Sequence, residues 1–218
     1  VNCLFDGNTA IYGGAVFAVN TPYTVSLSEC VFQYNGATRG GAIYGYNIPL
    51  VVENCLIARN YASSDGGGMF LNRCYPSSLS RCTFYQNEAV SGGGISLLAD
   101  TDLTVDHAIV VGCANGGATA VPETATMTFS CSDLFGNFGG DWTGSIAGQY
   151  GVNGNFSANP LFCDAPGVDL TLRTTSPCAP GNHPDGAGCG QIGARPVGCG
   201  GVPVEERSWG AIKSMFAD

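Results

Sequence analysis

The chain has 218 residues, 44% of them apolar and only 11% charged, with a net charge of −9 and a single lysine, Lys213. That charge balance disfavours nucleic-acid backbones and acidic membrane surfaces, and no apolar run approaches the roughly 18 residues a membrane-spanning helix needs. No leader pattern opens the chain. Val1 falls inside a repeat, so an upstream stretch is expected to have been processed away or to lie outside this sequence.

The first element, NCLFDGN, returns as ECVFQYN, NCLIARN and RCTFYQN, then more weakly as HAIVVGC and CSDLFGN. The anchors Cys3, Cys30, Cys55, Cys82, Ala108 and Cys131 are separated by 27, 25, 27, 26 and 23 residues. After each of the first four comes a glycine pair and an aliphatic residue: GGAVF, GGAIY, GGGMF and GGGIS. A third alternating run precedes the next anchor, as in TVSLSEC, with Val25 and Leu27 as inward candidates. Runs this short, broken by turn residues, read as three strands per repeat and fit no helical period. A unit of about 25 residues cannot bury its own apolar face, so copies must stack in parallel, bringing equivalent residues into columns.

Four columns are predicted. The first holds Cys3, Cys30, Cys55, Cys82 and Cys131; the second Phe5, Phe32, Ile57 and Phe84; the third, at a turn, Asn8, Asn35, Asn60 and Asn87. Stacked amides there can bond to one another and to bent backbone. Val16, Ile43, Met69 and Ile95 are expected to point inward, and with them Gly14, Gly41, Gly67 and Gly93, whose lack of a side chain permits a sharp corner. The next position, Phe17, Tyr44 and Phe70, then turns outward as an aromatic strip, a candidate sugar-stacking platform or lateral contact.

The pattern Cys-x-Phe-x-x-Asn followed by Gly-Gly-Ala/Gly-aliphatic resembles the right-handed parallel β-helix repeat of bacterial secreted and surface proteins, in particular the polymorphic outer-membrane protein type. NPLFCDAPGVDLTLRTTSPCAPG and CGQIGARP resemble the closing segment of such proteins. The resemblance implies an all-β solenoid of about six to seven coils in residues 1–160, a closing coil with cysteine staples in 161–200, and a tail in 201–218 with a short capping helix after Ser208. It also implies adhesins, filament parts and polysaccharide enzymes as functions, among which the fold does not choose.

FGNFGGDWTGSIAGQYGVNGNFSANP reads as an irregular coil or protruding loop, and DLTLRT as one more strand. Cys163, Cys178, Cys189 and Cys199 lie in a Gly/Pro-rich segment that disulfides would staple, Cys163 with Cys178 and Cys189 with Cys199, which points to an extracytoplasmic, secreted or cell-surface location. Zinc binding by His183 with Cys189 and Cys199 matches no familiar ligand spacing, so no metal or cofactor is expected. Asp100, Asp102 and Asp106 with His107 form the one acidic cluster, read as a solvated loop in preference to a calcium or catalytic site. Asn155-Phe156-Ser157 fits the glycosylation triplet.

The expected role is therefore a non-enzymatic structural or adhesin-like protein that associates head to tail through its coil ends into a surface filament, with an extracellular glycan as a further candidate partner. A pectate-lyase-like or polygalacturonase-like enzyme, or a carbohydrate-binding module using the aromatic strip, are the alternatives.

Overall fold

The structure is a computed structural model and describes residues 1–199; the expected helix after Ser208 lies outside them. The chain winds into an all-β parallel solenoid of about five turns, fewer than the six to seven expected, because residues after Phe135 leave the coil path. The first turn contains the three strands expected, and each of the next four contains a fourth. Sheet A comprises Leu4–Asp6, Val31–Gln33, Leu56–Ala58, Thr83–Tyr85, Ile109–Val111 and Asp133–Phe135. Sheet B comprises Gly36–Arg39, Tyr61–Asp65, Glu88–Ser91 and Ala114–Asn115. Sheet C runs from Val16–Val19 through Ile43–Tyr46, Met69–Asn72 and Ile95–Leu97 to Thr119–Ala120, and sheet D from Val25–Ser28 through Leu50–Glu53, Ser77–Ser80 and Asp102–Asp106 to Thr126–Ser130. The strands of sheet B are the ones the repeat did not announce.

Corners are made by residues with positive φ, a conformation that costs an L side chain energy and that Gly and Asn adopt most readily. Between sheets D and A the column is Asn2, Glu29, Asn54, Arg81, His107 and Cys131. Cys131 thus stands one place before the thiol column, because Ile109 pairs with Asp133 and Ala108 therefore lies against Ser132. The column is Cys3, Cys30, Cys55, Cys82, Ala108 and Ser132. Its polar members bond alike, each side chain donating back to the carbonyl two residues earlier. Cys30 Sγ donates to Ser28, Cys55 Sγ to Glu53, Cys82 Sγ to Ser80 and Ser132 Oγ to Ser130, at 2.8–3.3 Å.

The apolar column pairs as expected, Phe5 with Phe32, Phe32 with Ile57, Ile57 with Phe84, and Phe84 with Val110. The rings of Phe5 and Phe32 stack at 4.8 Å. Ile43, Met69 and Ile95 are buried on sheet C. Two glycines make each corner between sheets B and C: Gly40 supplies φ +63°, and Gly41 sits so close to the next turn that a Cβ would fall 2.1 Å from the Gly67 carbonyl oxygen.

The asparagine column is a continuous network. Asn60 Nδ2 donates to Phe32 O and Asn87 Oδ1, both at 3.0 Å, while its Oδ1 accepts from Asn35 N at 2.9 Å and Asn35 Nδ2 at 3.0 Å. Asn8 and Asn35 repeat the pattern, Cys113 interrupts it, and Asn137 restores it by accepting from Cys113 N. A buried amide with all its bonds made contributes, and one left unpaired costs, so Asn60→Ala is expected to lower stability by about 3 kcal/mol in denaturant unfolding. Asn8→Ala, on the first turn, should cost less than half of that. Equal losses would contradict the network. Gly41→Ala should prevent folding, detected as loss of the cooperative transition, whereas Gly148→Ala, with nothing within 4 Å of its Cβ, should shift stability by less than about 0.5 kcal/mol.

Candidate functional surfaces

Among the described residues the last turn is not left open. Residues 136–157, within the stretch expected as an irregular coil or protruding loop, lie across it. Gln149 imitates a missing strand: its Oε1 accepts from Phe129 N and its Nε2 donates to Met127 O, both at 2.7 Å. Asn155 Nδ2 reaches Phe129 O at 3.0 Å, and Trp142 packs edge-on against Phe129 with its indole N–H on Phe156 O. Asn155 is fully buried in these bonds, which removes it as a glycosylation acceptor in the folded chain.

Residues 158–199, read from the sequence as a closing coil, run back over the outer face of sheet A. Phe162–Asp164 and Asp169–Leu172 form a two-stranded antiparallel ribbon. Phe162, Leu170, Leu172, Cys178, Cys189 and Ile192 pack with Leu56, Ala58, Tyr85, Ile109 and Val111, the outward side chains of sheet A. Polar ties line the seam: Gly193 N donates to His107 O at 2.8 Å, Ala194 N to Thr83 Oγ1 at 2.9 Å, and Arg59 Nη2 to Pro166 O at 2.9 Å.

The disulfides are Cys131–Cys189 and Cys163–Cys199, which corrects both expected pairings. The first joins the covering segment to the coil, and the second closes the segment on itself. Cys178 is free and buried, with its Sγ 3.3 Å from Asp133 Oδ2. Cys74 and Cys113 are also free and buried. Burial pushes the thiols of Cys82 and Cys178 well up and that of Cys113 up to about 12, so they stay protonated and unreactive. Both ring nitrogens of His183 meet backbone groups: Nδ1 accepts from Asp185 N and Nε2 donates to Gly154 O, while its ring stands edge-on to Phe156.

The aromatic strip is present as a stack. Phe17, Tyr44 and Phe70 stack on one another at 5.4 and 5.3 Å, with interplanar angles of 25° and 15°, and Tyr12 joins at 5.1 Å from Tyr44. Rings stacked along the coil axis spend their faces on each other and offer solvent their edges. Phe70 is only 1% exposed, against 55% for Phe17, so the outward strip expected from the sequence ends at Tyr44. Arg39 lies over the Phe70 ring and pairs with Asp65 at 3.0 Å.

The acidic cluster is divided by its strand. Asp106 and His107 face the covering segment: His107 Nδ1 meets Asp106 Oδ2 at 2.6 Å, and its Nε2 meets the Cys189 carbonyl. Burial works against ionisation of Asp106, but hydrogen bonds from Ser130 and His107, with the charges of His107 and Arg81, outweigh it and hold the carboxyl below the usual range. Asp100 and Asp102 instead line a groove of about 730 Å³ at the corner between sheets C and D, with Arg73, Tyr75 and Glu123. Tyr75 is 62% exposed there, and Asp102 accepts from Thr126 Oγ1. The repeat could not signal this groove, because Tyr75 and Glu123 lie in turns that differ between copies.

Residues 1–134, more than half of the chain, match the family model for the right handed beta helix region, and the chain belongs to that family. No curated protein and no solved structure matches it. The two disulfides indicate a non-cytoplasmic environment. No helix among the described residues is long and apolar enough to cross a membrane.

Peptide mapping without reduction, after alkylating the native protein, is expected to recover Cys131 joined to Cys189 and Cys163 to Cys199. Cys178 should take the alkylating reagent only after unfolding. A Cys163–Cys178 peptide would refute the arrangement of the covering segment.

Proposed function

We propose that this chain is a non-enzymatic, extracytoplasmic structural or adhesin-like β-helix of the polymorphic outer-membrane protein type, acting at a bacterial surface through coil stacking. The observation that carries this reading is the make-up of the first turn. Asn8 Oδ1 has no donor among the described residues, although the corresponding oxygens of Asn35, Asn60 and Asn87 each accept two hydrogen bonds from the preceding turn. Phe5 is the first ring of its stack, and the strands Leu4–Asp6, Val16–Val19 and Val25–Ser28 have a neighbour on one side only. A further coil, of this chain or of a second copy, would extend every one of these columns. Head-to-tail growth of the kind expected from the sequence would have to displace Gln149 and Asn155 from the last turn.

Analytical ultracentrifugation and electron microscopy of the 218-residue chain test this. Self-association that Phe5→Glu combined with Phe17→Glu abolishes, without changing the circular dichroism spectrum, is the expected result. A monomer at high protein concentration would remove self-association from the reading.

A second reading, polysaccharide binding or cleavage, is favoured by the groove with Tyr75 beside Asp100, Asp102 and Glu123. Turnover of a polysaccharide that Asp102→Asn abolishes would reverse the ranking. Glycan binding lost in Tyr75→Ala but kept in Asp102→Asn would favour a binding module.

A further inference from the structure

The segment that covers sheet A is held in part by a group whose fit depends on its proton. Asp133 points outward from the last strand of sheet A and is completely buried beneath the covering segment. Its Oδ1 accepts from Ala158 N at 3.0 Å, and its Oδ2 faces the Cys178 thiol. Neither ion pairs nor hydrogen bonds among the described residues bring a cation to it, and the only other charge that bears on it is the carboxylate of Asp141, on the residues closing the last turn. An ionised carboxylate in that setting has only two neutral donors, Ala158 N and the Cys178 thiol, to offset its loss of water, and burial outweighs them, whereas a neutral one fits.

A second contact crosses the same seam: His107 stands between the Asp106 carboxylate on its own turn, met by Nδ1, and the Cys189 carbonyl of the covering segment, met by Nε2. Arg81, one turn back, is the further charge that bears on Asp106 from the coil side. From the cover comes only the carbonyl beside the Cys131–Cys189 bond.

We infer that residues 158–199 form a tethered, proton-dependent cover over the apolar outer face of sheet A, tight in acid and loosened as the medium becomes neutral to alkaline. The Cys131–Cys189 bond keeps the cover attached when it lifts, so that Leu56, Tyr85, Ile109 and Val111 are uncovered reversibly. Burial first of all, with the nearby Asp141 charge adding to it, pushes the Asp133 carboxyl up to about 7. A carboxyl raised on docking binds its proton more tightly when docked. Its contribution is therefore full below the free-carboxyl range, near pH 4, and is lost as pH rises through about 7.

Hydrogen exchange with mass spectrometry on the intact, oxidised protein tests this at pH 5.5 and 8.0, with rates corrected for intrinsic exchange. Protection of residues 158–197, relative to the buried strands of sheet D, is expected to fall by at least about tenfold at the higher pH. In Asp133→Asn, where an amide can keep the bond from Ala158, most of that difference should vanish, and Asp133→Ser makes the same comparison if the first variant does not fold. Equal relative protection of the wild-type cover at both pH values would overturn the inference, as would full retention of the pH difference in either variant.

Discussion

Everything in this molecule depends on repeating the same four corners in the same place on every turn. A parallel stack leaves no freedom of register: slipping one turn by one residue would exchange the inward and outward faces of its strands. The corners set the register, and each is fixed by a backbone that few residues adopt together with a side chain that satisfies the bent peptide groups. Asparagine between sheets A and B is the strongest of these devices, since one amide uses its full bonding capacity inside the core and ties three successive turns. The thiol or hydroxyl between sheets D and A is a weaker version of it, a single donor folded back onto its own corner. Cysteine suits that position because it is small, apolar enough to be buried and still able to donate.

Once the register is fixed, the surfaces follow. The interior fills with columns of like side chains. The last turn is closed by residues 136–157, with a glutamine amide in place of the neighbour that sheet D lacks, while the first turn presents columns ready to be extended. The outer face of sheet A becomes apolar from Leu56 onward and is covered by the returning segment, which makes the later turns thicker and better shielded than the earlier ones. Two disulfides and a buried carboxyl hold that segment, so its attachment depends on compartment and acidity in a way the coil itself does not.

What the sequence made legible was what repeats with a distinctive side chain: the phenylalanine and asparagine columns, the paired glycines and the parallel stacking. Sheet B escaped because its inward positions are only Ala37, Ala62 and Ala89, too small to produce an apolar alternation. Cys131 misleads because a thiol one position early is a more visible anchor than Ser132, which makes the same bond with a hydroxyl. The disulfide pairing was hidden because it joins a corner of the coil to a segment that comes back from beyond its end, and adjacency in sequence says nothing about that. One signal for the cover was present: Ala58, Tyr85 and Val111 stand at the outward position where the first two turns have Asp6 and Gln33. The groove beside Tyr75 had no such signal, being assembled from turns that do not repeat.

A double-mutant cycle on the asparagine column tests the central claim most directly. Asn35 and Asn60 are bonded to each other across one turn, whereas Asn35 and Asn87 are two turns apart and share no bond. The account predicts a coupling of about 1–3 kcal/mol for Asn35→Ala with Asn60→Ala in denaturant unfolding, and a clearly smaller one for Asn35→Ala with Asn87→Ala. Additive effects for the adjacent pair would contradict it, because side chains that are independent of one another cannot be what sets the register of the stack.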